Sequence, residues 1–250
     1  MQERNERRGK VLGDYFLDPN SAFLAGQLFP YDARQKGGPR YVSKNLRTIN
    51  HRIISAEREK DFFDGDRNYG YGGFKYDGRW KEVADKLKIE YGLSNNSAFL
   101  QLSSEKGFLL KDLKDKNPKM KIQGLETSGY AFENTLSEVK QNVKKVNNYL
   151  SLDFKEREFD FIMALGVIYT LTINDAIKVL KEIERVGKGK SFITLASYTN
   201  EDDYWLFKDW TLIGTTILKK DEWVEVLKAA NYSGDYYFTN SKTLNIERKK

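Results

Sequence analysis

The chain has 250 residues, 40% of them hydrophobic and 31% charged, which is the composition of an ordinary globular protein. It has no cysteine and one histidine, so disulfides, thiolate metal sites and cysteine nucleophiles are excluded, and we expect no metal centre. The net charge of +6 has two interpretations, an anionic partner or a solvated lysine-rich surface; because no nucleic-acid-binding motif is present, we expect no nucleic-acid partner.

The first 60 residues are predicted to be an N-terminal extension of loops and short helical pieces, because Pro19, Pro30 and Pro39 interrupt them. The opening sequence MQERNERRGK lacks the apolar core of a signal peptide, and no apolar run approaches the ~20 residues of a membrane span, so we expect a cytoplasmic protein. A helix is predicted over residues 52–63. His51 has two interpretations, a general base or a structural histidine.

Residues 64–80 (DGDRNYGYGGFKYDGRW) combine five glycines with several aromatic side chains. The glycines exclude a stable helix, and the aromatic side chains make the segment too apolar for a free linker, so we predict an ordered loop. This loop has two interpretations. Its tyrosines cover one end of a sheet, or it forms a lid in which Tyr71 contacts a ligand and Arg67 or Arg79 binds a carboxylate or phosphate.

Strands and helices alternate in the rest of the chain, which predicts one α/β domain over residues 61–250 with a mostly parallel, doubly wound, Rossmann-like sheet. Strands are predicted at residues 98–102, 120–125, 146–150, 159–165, 191–195 and 235–239. Helices are predicted at residues 81–91, 107–115, 128–144, 174–185 and 220–230. The run FDFIMAL at 159–165 is apolar throughout, as expected for a parallel strand that is covered on both faces.

The candidate site lies where the first two strands of this sheet end, because open parallel sheets bind ligands at the carboxyl ends of their strands. The first strand leads into Ser103-Ser104-Glu105-Lys106-Gly107, where only Gly107 remains of the glycines that usually let a backbone approach a cofactor. Glu126 ends the second strand, about 20 residues after Gly107. It either accepts hydrogen bonds from two ribose hydroxyls or belongs to a helix cap.

Three aromatic or polar residues follow the next strands. Asn148 and Tyr149 are placed to contact an adenine edge. Tyr169 has two interpretations, a substrate-pocket residue or a packing residue, and we keep it beside His51 as a candidate catalytic side chain.

Several segments resemble one known family. They are residues 64–80 and the stretches KIQGLETSGYAFENT, LSLDFKEREFDFIMAL, KEIERVGKGKSFITLASY and DEWVEVLKAANYSGDYYF. Together they resemble the class I S-adenosylmethionine (SAM)-dependent methyltransferases, especially the small bacterial enzymes associated with capsule and lipopolysaccharide biosynthesis. The resemblance implies SAM as the cofactor, with Glu126 as the ribose-binding acid and Asn148 near the adenine. Tyr71, Arg79 and Tyr149 are added as candidate cofactor contacts.

Other positions depart from the family pattern. Gln101 replaces an aspartate of the first strand, and Ser103 and Glu105 replace two loop glycines. Tyr169 stands where a substrate-side polar residue is common, and Ala196 where an acid is common. A negative charge at Glu105 would lie close to the methionine carboxylate, and such repulsion at contact range weakens binding by a few kcal/mol.

Three functions remain open from the sequence. The first is a working methyltransferase that acts on a saccharide or another small molecule. The second, which we favour slightly, is a catalytically impaired subunit that serves an active paralogue or forms a homodimer; Tyr204, Trp205 and Trp210 would then mark an interface, rather than a lid or core packing. The third is a binding module for another adenine nucleotide.

Overall fold

The computed structural model describes residues 39–43 and 46–249. Among the described residues, ten strand or helix segments lie before residue 150 and nine lie after it. The strands are β1 Arg40–Val42, β2 Ala98–Leu102, β3 Lys121–Glu126, β4 Val143–Lys145, β5 Phe161–Ala164, β6 Ser191–Tyr198, β7 Leu218–Lys219, β8 Asp235–Thr239 and β9 Ile246–Arg248. The α-helices are α1 Ile49–Glu57, α2 Lys60–Asp64, α3 Trp80–Tyr91, α4 Phe108–Lys116, α5 Gly129–Glu133, α6 Ile173–Val186, α7 Glu201–Trp210 and α8 Lys220–Ala229. Two 3₁₀ turns span Ser137–Asn142 and Ile168–Thr170.

The main sheet has seven strands in the order β4-β3-β2-β5-β6-β7, with β8 also paired to β6. Every strand pair in it is parallel. The chain order therefore reverses between β2 and β5, which brings the ends of β2, β3, β5 and β6 to one edge of the sheet. This arrangement confirms the predicted Rossmann-like α/β fold, and the reversal marks where such sheets bind ligands.

The two faces of the sheet carry separate hydrophobic clusters, because neighbouring residues of a strand point to opposite sides. Leu100 and Ile162 pack with helix α6 in one cluster, whereas Phe99 and Phe161 pack with helices α3 and α4 in the other. Helix α6 buries Ala176, Val179, Leu180, Ile183 and Val186, which recur at helical spacing. The covering of both faces explains why β5 is apolar along its whole length and β2 is apolar except at Gln101.

The chain between the second and third strands differs from the prediction. The helix predicted over residues 128–144 is wrong, because helix α5 ends at Glu133 and the backbone N–H of Leu136 turns to donate to the Lys106 carbonyl. The strand predicted at 146–150 is also wrong. The pairing strand is β4, whose Val143 lies opposite Gly124, and Leu150 sits in a turn closed by Asn148.

The segment before the main domain differs as well. The predicted helix over residues 52–63 is two helices, since Arg58 adopts a left-handed φ of 52° and ends helix α1. Strand β1 pairs in parallel with β9 near the opposite end of the chain. Pro39 lies in the described part, whereas Pro19 and Pro30 lie outside it, as does most of the predicted extension. None of the described helices is long and apolar enough to span a membrane.

Candidate functional site

A cavity of about 180 Å³ opens at the carboxyl edge of the sheet, next to the loop that follows β2. Its wall combines residues of the loop and strand ends with residues of the segment before β2 and the segment after α7. The lining residues are Arg47, Arg58, Phe62, Arg67, Gly70, Tyr71, Trp80, Gln101, Ser103, Glu105, Leu165, Gly166, Tyr169, Thr194, Trp210, Thr211, Leu212, Ile213, Thr239 and Leu244. Ligand sites of small molecules commonly have this mix of aromatic walls and a few polar groups.

The loop after β2 keeps the backbone geometry of a glycine loop without the glycines. Ser103 has a φ of 57° and Glu105 a φ of 53°, both in the left-handed region that glycine prefers. Gly107 has a φ of 78°, and a methyl group there would lie 2.9 Å from Val139 Cγ2. Thus two side chains project from positions where the backbone geometry favours none, and both line the cavity.

Glu126 ends β3 and is fully buried. Its Oε2 accepts a hydrogen bond from the backbone N–H of Glu105 at 2.7 Å. Its Oε1 accepts from the backbone N–H groups of Thr127 at 2.9 Å and Ser128 at 2.8 Å. The carboxylate therefore holds the turn after β2 and the start of α5 together. Both of its oxygens are engaged by this chain, and neither reaches the cavity surface.

Arg58 and Tyr71 cover this corner from the segment before β2. The Arg58 guanidinium donates to Ser103 Oγ at 2.9 Å and lies 3.9 Å from Glu126 Oε1. The Tyr71 hydroxyl donates to Glu105 Oε1 at 2.5 Å. Burial raises the pKa of Glu105 to about 7, against the lowering effects of Arg58 and the Tyr71 hydrogen bond. Burial thus favours the protonated, neutral form of the Glu105 carboxyl group.

The Gly/Tyr-rich segment 64–80 is fastened to the loop. Lys106 Nζ donates to Asp64 Oδ2 at 2.6 Å and to the Phe74 carbonyl at 3.0 Å. The Phe74 ring stacks on Phe108, the first residue of α4, at a centroid distance of 4.7 Å. The segment therefore packs over the start of α4 while Tyr71 faces the cavity.

The far side of the cavity is formed by the ends of β5 and β6. Tyr169 lines it from the 3₁₀ turn after β5, and its backbone carbonyl accepts hydrogen bonds from Thr215 and Thr216. Gln101 is 6% exposed, and its Oε1 has no hydrogen-bond partner among the described residues. An unpaired buried amide oxygen beside a cavity is a ready acceptor for a ligand hydroxyl or N–H group.

The structure brings Ser103, Glu105, Tyr71 and Tyr169 together at the cavity. Arg67, the alternative to Arg79 in the 64–80 segment, also lines it, but the other predicted site residues do not. Gly107 and Glu126 are not among the lining residues, and Tyr149 is buried in the core, where burial and Glu126 raise the pKa of its hydroxyl.

The remaining candidates lie apart from the cavity. Asn148 is exposed and caps its own turn. Arg79 pairs with Asp77 on the surface. His51 Nδ1 accepts from the backbone N–H of Thr48 at the start of α1, which is the structural arrangement of a helix cap.

Sequence reasoning missed two of the three arginines that line the cavity, and it missed the residues after α7. Arg47 and Arg58 come from a part of the chain with little pattern, and the loop Thr211–Ile213 joins them only in three dimensions. Of the aromatic residues of α7, Trp210 lines the cavity, Tyr204 packs in a hydrophobic cluster and Trp205 is 48% exposed.

Comparison with known proteins gives one family match. Residues 100–195 match the family model described as "Methyltransferase domain". This segment runs from β2 to β6 and includes the loop after β2 and Glu126. This part of the chain is thus similar to a methyltransferase domain. No curated protein matches the chain.

Comparison with solved structures gives matches at low sequence identity. The YcgJ protein of Bacillus subtilis is 16% identical, with 59% of this chain and 66% of that chain covered and a TM-score of 0.48. A chain in a complex of the Trm112 methyltransferase activator and a methyltransferase from Haloferax volcanii is 18% identical, with 62% of this chain and 72% of that chain covered and a TM-score of 0.43. A SAM-dependent methyltransferase from Aquifex aeolicus is 18% identical, with 62% of this chain and 88% of that chain covered and a TM-score of 0.42. The chain thus spans just under two thirds of the first of these proteins.

Proposed function

We propose that the chain is a methyltransferase-family subunit whose SAM site is impaired, and that it supports an active paralogue or works within a homodimer. The reaction it serves in this proposal is the methylation of a surface-glycan sugar, a sugar-linked group or a small cytoplasmic precursor. The sequence resemblance described above motivates the glycan assignment. The domain match supports the methyltransferase relationship.

The observation that carries the proposal is the engagement of Glu126. The two oxygens that would accept the ribose hydroxyls of SAM already accept three backbone N–H groups, and the carboxylate is fully buried. A cofactor would have to displace the loop to reach them, at the cost of charge-assisted hydrogen bonds worth roughly 1.5–3 kcal/mol each.

The loop adds a second obstacle. The side chain of Glu105 projects from a position of glycine geometry into the cavity, and it brings negative charge once it is ionised. The residues of this corner therefore do not fit SAM as arranged, and we derive no step of methyl transfer from them.

The test is a calorimetric titration of the full chain with SAM and with S-adenosylhomocysteine. We expect no saturable binding by the wild-type chain, and micromolar binding by Ser103→Gly/Glu105→Gly, in which the loop regains both glycines. The matched control is Ser103→Ala/Glu105→Ala, which removes the same polar groups but keeps a β-carbon at each strained position. Recovery by the glycine pair alone assigns the loss to the loop backbone. Micromolar binding by the wild-type chain would overturn the proposal.

A second function is favoured by the cavity itself. An independently active small-molecule methyltransferase needs an acceptor pocket beside the loop, and Tyr169 with the unpaired Oε1 of Gln101 lines such a pocket. Because methyl transfer depends mainly on positioning, it can proceed without a strong base when the acceptor is already nucleophilic. Wild-type binding of SAM, followed by turnover of an added acceptor, would support this function instead.

A further inference from the structure

A bend joins helices α1 and α2 beside the candidate site. Arg58 ends helix α1 with a left-handed φ of 52°, and helix α2 begins at Lys60. Three ionisable side chains of residues 58–64, which we call the α1–α2 bend, contact the chain that follows β2 and β3. In an open parallel sheet, the chain that follows such strand ends forms the ligand site. The bend therefore lies against the place where a ligand would bind.

Arg58 provides a cation on the acid at the end of β3. Its Nη2 donates to Ser103 Oγ at 2.9 Å and lies 3.9 Å from Glu126 Oε1. A carboxylate has about four acceptor positions on its two oxygens, and three backbone N–H groups donate to those of Glu126. Arg58 lines the cavity and Glu126 does not, so the guanidinium lies between the cavity and the rest of the carboxylate. Burial lowers the pKa of Arg58, but the charges of Glu126 and Glu105 outweigh burial and raise it.

The position of Arg58 carries two costs. Its backbone lies in the left-handed region that L-residues avoid, and its Nε is buried without a hydrogen-bond partner among the described residues. The rings of Phe62 and Phe63 hold the guanidinium, with their centroids 5.3 and 5.8 Å from its central carbon. Strained backbone and incompletely paired polar groups of this kind are typical of ligand clamps and switch regions.

Two acids fasten the rest of the bend to the same strand ends. Glu59 accepts hydrogen bonds from the backbone N–H groups of Gly129 at 3.0 Å and Tyr130 at 2.9 Å. Asp64 Oδ2 accepts from Lys106 Nζ and from the Tyr130 hydroxyl, both at 2.6 Å. The bend is thus joined to the loop after β2 through Lys106 and to the start of α5 through Gly129 and Tyr130. These are the segments that a nucleoside at the ends of β2 and β3 would contact.

We propose that the α1–α2 bend is an autoinhibitory element that closes the SAM site of this chain, with Arg58 as an internal cation on Glu126. The proposal rests on the proposed function, because it concerns the same impaired site, and it adds a second cause of the impairment. The altered loop opposes the methionine end of SAM, whereas Arg58 opposes the ribose end. Removal of Arg58 uncovers an acceptor position on Glu126 and leaves a negative charge that attracts the sulfonium cation of SAM.

The experiment is calorimetric titration of the full chain with SAM in the background Ser103→Gly/Glu105→Gly, where the obstacle in the loop is removed. Adding Arg58→Ala to this background should strengthen SAM binding by roughly tenfold or more, since a competing cation is lost. The matched control adds Arg248→Ala, which removes an exposed arginine paired with Asp209, and should leave the SAM affinity of the background unchanged.

A second variant tests the bend without changing Arg58 or Glu126. Glu59→Gln removes the charge and one of the two oxygens that accept from the start of α5. In the same background it should also strengthen SAM binding, whereas Glu225→Gln, which breaks an exposed pair with Lys228, should not. Thermal unfolding of each variant shows whether it is folded, and if Arg58→Ala is not, the comparison of Glu59→Gln with Glu225→Gln decides.

The outcomes separate this proposal from the proposed function. Equal SAM affinities with and without Arg58→Ala, or no SAM binding by the folded variant that carries it, would overturn the autoinhibitory role of the bend. Titration of the wild-type chain tests the proposed function by itself, and its result does not depend on either variant of the bend.

Discussion

At the scale of single residues, the loop after β2 stores backbone strain at Ser103 and Glu105. Left-handed backbone costs an L-residue roughly 1–2 kcal/mol, and glycine avoids most of this cost. Here the strain is held by Glu126, which accepts the Glu105 backbone N–H, and by Arg58, which donates to Ser103 Oγ. Side chains at Ser103 and Glu105 and the glycine-like backbone geometry are thus compatible because neighbouring groups hold the loop.

This strain can be measured at Ser103. Ser103→Gly and Ser103→Ala both lose the hydroxyl that Arg58 contacts, but only glycine accepts the φ of 57° without cost. We expect Ser103→Gly to be more stable than Ser103→Ala by about 1 kcal/mol in urea unfolding. Equal stabilities would show that the loop of the alanine variant relaxes to another conformation.

Glu105 should make stability depend on pH. Its pKa is raised from 4.5 to about 7 by burial, so between these values the folded chain holds a proton that the unfolded chain has lost. Stability therefore falls as the pH rises through this window. Glu105→Gln keeps an acceptor for the Tyr71 hydroxyl but cannot ionise.

As the pH rises from 5 to 8, the free energy of unfolding of Glu105→Gln should therefore increase relative to that of the wild type by on the order of 1–3 kcal/mol. Urea titrations of both proteins at the two pH values give the difference. A gap between the proteins that stays constant, or that narrows with pH, would contradict the assignment of this titration to Glu105.

At the scale of elements, the start of α4 depends on a close approach. Gly107 precedes the helix, and a methyl group there would meet Val139 Cγ2 at 2.9 Å and Thr135 Cγ2 at 3.1 Å. Gly92 after α3 has a similar φ of 67° but no atom within 4 Å of the same position. Alanine substitutions at Gly107 and at Gly92 therefore separate the cost of backbone strain from the cost of steric contact.

Gly107→Ala should therefore destabilise the chain by about 1–3 kcal/mol more than Gly92→Ala, because only the first substitution adds overpacking to the strain. Chemical denaturation of the two variants measures this difference. A matching loss in both would indicate that the segment from Thr135 to Val139 moves aside without cost.

The sequence predicted elements well where one pattern dominates. The apolar runs of β2 and β5 and the helical spacing in α6 are found within a few residues of the predicted bounds. The prediction failed between residues 128 and 150, where the chain follows a hydrogen bond from Leu136 to Lys106 and the pairing of Val143 with Gly124. Both are contacts between separate elements, which local propensity does not encode.

The same distinction applies to the site. Ser103, Glu105, Tyr71 and Tyr169 follow from strand ends and one unusual segment, and all four line the cavity. Arg47 and Arg58 escaped prediction because a lone arginine in an unpatterned stretch carries no local signal. Their position depends on tertiary contacts such as the hydrogen bond from Arg47 to Asn68.

At the scale of the whole molecule, residues before β2 join the main domain through two sets of contacts. Strand β1 pairs with β9, and Arg58 and Arg47 complete the cavity wall. The proposed boundary at residue 60 stays a prediction, but these contacts show that β1, Arg47 and Arg58 contribute to the packing around the site. Arg52 makes a further contact between distant parts of the chain.

Arg52 joins helix α1 to the end of helix α7. Its Nη1 donates to the Thr211 carbonyl at 2.6 Å and its Nη2 to the Lys208 carbonyl at 2.7 Å. A helix leaves its last carbonyl groups unpaired, and a positive charge is favourable at that end, so Arg52 caps α7 from a distant part of the chain. It also positions the Thr211–Ile213 loop that lines the cavity.

Arg52→Met should lower the free energy of unfolding by about 2 kcal/mol, because two charge-assisted hydrogen bonds are lost. Arg248→Met, which breaks an exposed pair with Asp209, should cost under about 1 kcal/mol. A second readout is trypsin cleavage after Lys208, whose carbonyl Arg52 holds in the folded chain. Cleavage there should accelerate in Arg52→Met under native conditions and not in Arg248→Met. If both variants were cleaved at the wild-type rate, the end of α7 would be held by its own packing. Arg52 would then not connect the segment before β2 to the part of the cavity wall that follows α7.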